Sequence, residues 1–157
     1  YGGAHGHNTI IFDSKDQMPR ISKFLFNAWR YPNFESDIIC DGNKSTFTCS
    51  YVNSHGAKHL REVNLYKNKI VIIDKISNFK NIAVLQLRLL NKKWALNENT
   101  LNFESHKINI NSSMPIKDII LSDGYKSDYY LDKKKIPLLQ AFFNKPGKII
   151  TEYSWEN

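Results

Sequence analysis

His5 and His7 stand two residues apart, directly before a compact β-branched and aromatic run, Thr9 to Asp13. In an extended chain, residues i and i+2 share a face. Two imidazoles on one face can hold a metal ion together or flank one substrate, and the pair is equally compatible with a flexible segment that does no chemistry. His59 and Arg61 repeat this spacing at the head of a second patterned run, Leu60 to Tyr66. They read either as a cationic pair that meets a carboxylate or sulfate, for which the guanidinium fork is suited, or as a solvated strand edge. His55 and His106 lie among polar, turn-forming residues and are expected at the surface. No GxSxG, Walker loop, GxGxxG or HExxH occurs, and the carboxylates are too dispersed to pair as acid and base.

The elements that must position these residues are strands. Phe47, Cys49 and Tyr51 alternate with Thr46, Thr48 and Ser50 from Ser45 to Val52. Leu60 to Tyr66, a Lys67-Asn68-Lys69 turn and the β-branched run Ile70 to Ile76 form the clearest hairpin. Ala83, Leu85, Leu87 and Leu89 share a face of the next run, Ile82 to Leu90. Shorter strands are expected at Trp94 to Leu96, Leu101 to Glu104 and Lys107 to Ile110, and the series closes with Asp118 to Leu121, Ile136 to Phe143 and Lys148 to Tyr153. Strands at this spacing without long helices between them predict an antiparallel sandwich or barrel, not a βαβ fold. Ile21, Phe24, Leu25, Ala28 and Trp29 fit a helical face, with Pro19 suited to an early position, but fit equally a loop or irregular strand over the sheet edge.

The chain has 157 residues and a formal net charge of +7, with a pI of about 9.3. That is one ordinary domain, with no stretch long and apolar enough to span a bilayer. The lysines are spread, Lys133-Lys134-Lys135 being the dense run, and read either as a solvated surface or as a face for a polyanion. Nucleic acid is disfavoured among polyanions, because aromatics do not interleave with basic residues as a stacking platform requires. Cys40 and Cys49 could bridge neighbouring strands across an Asp41-Gly42-Asn43-Lys44 turn; two buried free thiols is the favoured alternative. A first residue that is Tyr inside a Gly- and His-rich segment reads as a fragment or processed chain.

Three blocks in order resemble one family. His7-Asn8-Thr9-Ile10-Ile11-Phe12-Asp13 with Asp16-Gln17 resembles the HNTV-x-(V/I)-D…Q signature of heparinase II/III-like polysaccharide lyases, in their C-terminal domain. His59-Leu60-Arg61-Glu62-Val63 with Ile70-Val71-Ile72-Ile73-Asp74-Lys75-Ile76 is similar to that domain's H-x-R-x-V…L-x-I-x-D-x-(V/I) block. Gly124 to Tyr130 with Ile136-Pro137 resembles its closing W-x-S-x-x-Y…P pattern. The resemblance implies an all-β antiparallel sandwich over 1–157, belonging to a periplasmic or secreted bacterial enzyme that cleaves uronic-acid polysaccharides such as heparan sulfate or alginate by β-elimination. It implies an α/α-toroid that supplies the catalytic Tyr, and in several members a zinc ion on an upstream His, an upstream Asp and the HNT His. By that match His7, helped by His5, is the metal ligand here, with the rest of the ligand set lying upstream. Asn8, His59 and Arg61 are the expected contacts to an acidic polysaccharide. The catalytic residues are not identifiable, and the fragment alone is expected to be inactive. Absent first strands would leave a sheet edge open to a second copy. The alternative is a non-catalytic carbohydrate-binding or structural sandwich.

Overall fold

Alternation of apolar and polar residues, with β-branched side chains that suit a pleated surface, decides where this chain becomes strand. The computed structural model describes residues 3–22, 25–27, 32–34, 36–129 and 132–156. Among these residues thirteen strands follow in order: β1 (Thr9–Phe12), β2 (Asn33–Phe34), β3 (Ile39–Asp41), β4 (Lys44–Val52), β5 (Lys58–Tyr66), β6 (Lys69–Ser77), β7 (Ala83–Arg88), β8 (Ala95–Asn97), β9 (Thr100–Phe103), β10 (His106–Ser112), β11 (Asp118–Lys126), β12 (Lys134–Phe143) and β13 (Gly147–Trp155). Every pairing is antiparallel, in a small sheet ordered β1-β7-β12-β11 and a large one ordered β2-β4-β5-β6-β13-β10-β9-β8, with β3 also on β4. This is the all-β sandwich that the patterning and the resemblance predict. Among the described residues no helix is long and apolar enough to cross a membrane.

The core forms where the sheets face each other. Ile10 and Phe12 of β1, Leu85 and Leu87 of β7 and Leu139, Ala141 and Phe143 of β12 meet Ile76, Leu101, Ile108, Ile110 and Ile149 of the large sheet. Burying each of the larger side chains contributes about 1.5–3 kcal/mol. Glu98 and Glu104 turn two hairpin tips with left-handed φ of 51° and 50°.

Several expectations change. Arg20 and Phe26 form an isolated antiparallel bridge, and Ile21 N–H donates to the Leu25 carbonyl at 2.9 Å, so this part of the ambiguous segment doubles back instead of coiling. Phe24, Ala28 and Trp29 lie outside the described residues. The cysteines are free, and Cys40 is exposed, not buried. The 41–44 turn exists, but Cys40 stands across from Ser45 while Cys49 stands across from Arg61. The small sheet ends on β1, a strand of four buried residues. A 3-10 turn, Ala4–Gly6, packs Ala4 against Ile11 and Val84 there, so the edge expected to lie open is short and largely enclosed.

Candidate functional site

The segment from His5 to Asn8 is displayed at the surface and fastened from beneath. Gly6 N–H bonds the Gly3 carbonyl and His7 N–H the Ala4 carbonyl, closing the 3-10 turn. Asp16 accepts the Ala4 N–H at 2.6 Å. An added Cβ at Gly3 would sit 2.6 Å from Asp16 Oδ1, so a glycine is what lets that carboxylate approach. Gln86, in the middle of β7 and 1% exposed, donates its amide to the His5 and His7 carbonyls at 2.8 and 3.2 Å. Arg88 donates its backbone N–H to Asn8 Oδ1 at 2.8 Å, and its guanidinium to the Tyr125 carbonyl. Neither Gln86 nor Arg88 carries a sequence signal of function. A glutamine amid Ala83-Val84-Leu85 and Leu87 is the one clue, since a buried amide must find partners.

Below this loop lies a buried charged cluster. Asp74 of β6 is 0% exposed; Oδ1 is 2.6 Å from His59 Nε2 and 2.7 Å from Arg61 Nε, and Oδ2 accepts from Arg61 Nη2 at 3.0 Å. Burial pushes the Asp74 carboxyl up, but hydrogen bonds from His59 and Arg61 and the guanidinium charge outweigh it and hold the group below the usual carboxylate value. Arg61 Nη1 then reaches out to the Asn8 carbonyl at 2.7 Å. The expected substrate roles of His59 and Arg61 are therefore corrected. His59 is 4% exposed and enclosed by Phe12, Tyr51 and Asp74. Arg61 is 19% exposed, and the carboxylate it meets is the chain's own. Strand register brings them together: Arg61 pairs with Asp74 and His59 with Ile76.

The remaining motif residues splice elements. Asp13, at φ 51°, accepts N–H groups of Lys80, Asn81 and Ile82 at 3.0, 2.7 and 3.0 Å. Partial burial raises its carboxyl, and these bonds with Lys15 bring it to a net value below the usual one. Gln17 Nε2 donates to Tyr51 Oη at 2.9 Å and to Thr9 Oγ1 at 3.3 Å. Burial pushes the Tyr51 phenol up to about 12, so it stays protonated through the neutral range.

What is left exposed decides the chemistry. His7 and Asn8 line a concavity of about 370 Å³ with Asp16, Gln17 and Phe26. His5 lines another, of about 540 Å³, with Arg20, Arg88, Lys133 and Tyr125. The acids there are already engaged: Asp16 at Ala4, and Asp123 with Lys135 at 2.9 Å. This wall suits an anion. Asn8 and Arg88 also rim a mostly apolar cavity of about 380 Å³, whose walls of Leu87, Leu89, Leu90 and Trp94 would desolvate a charged sugar.

His5 and His7 do not form the same-face pair that an extended chain would make. The 3-10 turn replaces the extended backbone that would have put His5 and His7 on one face, and the two residues line different concavities. Among the described residues no three His, Cys, Asp or Glu side chains group closely enough to hold a metal ion. His106, expected at the surface, instead stacks between Phe103 and Tyr153 and bonds Tyr153 Oη through Nδ1 at 2.8 Å.

No family model matches this sequence, and no curated protein matches it. Solved structures do share its fold. A heparinase III gene product aligns with a TM-score of 0.77 at 18% identity over 96% of this chain. A crystal structure of heparinase III aligns at 0.79, 13% and 99%. The heparan sulfate lyase HepC from Pedobacter heparinus aligns at 0.73, 14% and 98%. In each case the match covers 24% of the other chain, so this chain spans about a quarter of the length of those it matches. At such identities the likeness is one of fold.

Proposed function

We propose that this chain is the β-sandwich portion of a polysaccharide lyase acting on an acidic, uronate-bearing glycan, and that it forms the cationic wall of a cleft completed by polypeptide outside this sequence. The observation that carries the reading is the His5–Asn8 loop. Gln86 and Arg61 hold its carbonyls, Arg88 N–H holds the Asn8 side chain and Asp16 holds the adjoining Ala4, while His5, His7 and Asn8 remain exposed beside Arg20 and Lys133. Preorganised positive charge is what β-elimination asks for. A base removes the proton α to the uronate carboxylate as the glycosidic oxygen leaves, and neutralising that carboxylate stabilises the enolate-like transition state. Here Arg20, Arg88 and Lys133 supply the charge, Asn8 offers its side-chain amide, and Arg61 acts as a positioning residue through the Asn8 carbonyl. A periplasmic or secreted setting for the parent belongs to the same reading.

The second reading, a non-catalytic glycan-binding module, is favoured by a specific observation. The exposed rings of His5 and His7 make no hydrogen bond among the described residues, so no carboxylate orients either as a base. One experiment separates the two. The complete gene product, incubated with heparan sulfate and with alginate, is expected to generate ultraviolet-absorbing unsaturated ends. Binding without cleavage selects the module, and neither binding nor cleavage on any uronate polymer removes both.

A further inference from the structure

Lysines far apart in sequence meet at one end of the large sheet's outer face. Lys44 pairs with Tyr66, Ser154 with Lys69, and Lys107 with both Ser154 and Asn102. Residues opposite one another in antiparallel strands project to the same side. Lys69 Nζ, 5.3 Å from the centroid of the Tyr66 ring, joins the two halves across the β5–β6 hairpin. The outcome is a single cross-strand row: Lys44, Tyr66, Lys69, Ser154, Lys107, Asn102. It contains no carboxylate. Lys44 to Lys69 and Lys69 to Lys107 are each two strand spacings apart, roughly 9–10 Å. The neighbouring row is mostly neutral, with Thr46, the buried Asn64, Val71, Asn109 and Thr100, and its one acid, Glu152, lies 3.5 Å from Lys69. At the end of the Lys row, Lys67, Asn68, Ser105 and Trp155 border a concavity of about 620 Å³, whose one acid, the exposed Glu156, is outnumbered there by Lys67, Lys69 and Lys107. Lys67 and Lys107 are exposed and form no ion pair among the described residues.

We propose that this row and its concavity bind a stretch of acidic polysaccharide, at a surface that shares no residue with the concavities around His5 and His7. The assignment rests on the acidic-glycan reading above. Cations held at regular intervals over a floor of amide and hydroxyl groups match a polymer that carries acid groups at intervals and hydroxyls between them. Each exposed contact is weak alone, and the row gains by engaging several at once. Nucleic acid fits less well, because base stacking needs open aromatic faces. Lys69 lies over the Tyr66 ring, and the Trp155 ring packs 5.3 Å from Tyr153.

The test is calorimetric titration of the chain with a size-defined heparan sulfate oligosaccharide at low salt, against two variants checked for native circular dichroism. The row variant carries Lys44→Ser, Lys67→Ser, Lys69→Ser and Lys107→Ser. The wall variant carries Arg20→Ser and Lys133→Ser. Binding by the row variant is expected to be about tenfold weaker or worse, and less dependent on salt, while a row-based component survives in the wall variant. Full-strength binding by the row variant with loss in the wall variant overturns the row and leaves the glycan reading standing. Tighter binding to oligo-dT than to the saccharide, lost in the row variant, overturns the saccharide assignment. No measurable saccharide binding by the native chain overturns the row, and the cleavage assay of the complete protein then decides the lyase reading separately.

Discussion

Replacing Asp74 by Asn puts the central cluster to a quantitative test. The carboxylate is fully buried and accepts from His59 and from two nitrogens of Arg61. Asn keeps the shape but removes the charge, and the guanidinium of Arg61, 19% exposed, is left without its counter-ion. Breaking one side of a buried pair costs about 3–5 kcal/mol. The amide retains part of the hydrogen bonding, so the lower figure applies, about 3 kcal/mol, or about 6–12 °C in Tm for a chain of this length. The effect depends on pH in a fixed direction. Asp74 in the folded chain lies below its ordinary value of 3.8, so its contribution is fully present above that value and is lost as pH falls through the folded one. Thermal unfolding followed by circular dichroism, from about pH 7 down to about pH 2.5, should show a wide gap between native and Asp74→Asn that narrows only at the acid end. Adding Arg61→Gln removes the stranded charge, so the double variant should be less destabilised than the sum of the single ones. Melting temperatures within about 2 °C of each other at neutral pH, or a gap that stays constant to the acid limit, would refute the reasoning.

Gln86→Leu should cost about 1–3 kcal/mol by denaturant midpoint and speed amide exchange around His5–Asn8, because two carbonyls lose their donor. Asp13→Ala should cost about 1 kcal/mol, the exposed share of the carboxylate being screened; since Asp13 titrates below its ordinary value when folded, the deficit should be full at neutral pH and fade as pH falls through that lower range. Phe143→Ala, which empties a fully buried position, should cost about 3–5 kcal/mol in chemical unfolding. Zinc titrated into this chain alone should show no stoichiometric uptake by calorimetry, because the 3-10 turn at Ala4–Gly6 takes His5 and His7 off a common face; a saturable one-to-one complex would contradict that geometry.

The strands that carry the sandwich were legible wherever period and propensity agreed. Ile70 to Ile76 and Ala83 to Leu89 declare strands by themselves; the second fills the core with Ala83, Leu85, Leu87 and Leu89, and the first contributes Ile76. The short strands Asn33–Phe34 and Ile39–Asp41 were not, because they exist through pairing with β4, and Ile39 in the second is 59% exposed. Among the site residues, His5 and His7 were named as metal ligands and Asn8 as a glycan contact, and all three are exposed; His59 and Arg61 were named for glycan contacts, and register sets both against Asp74.

By itself the sequence determined the period-two pattern, hence an all-β sandwich or barrel, the order of its main strands, the excess of positive charge and a set of polar residues unusual for strands. Tertiary structure alone decided which of these residues meet. The His5–Asn8 loop is held by side chains from β5 and β7, and the Lys44–Lys69–Lys107 row is assembled from strands scattered along the chain. The reason is that periodicity is a local property, set by side-chain sterics within a few residues. Register and sheet stacking arise from summed long-range pairing, and these fix whether a charged side chain finds a buried partner or open water.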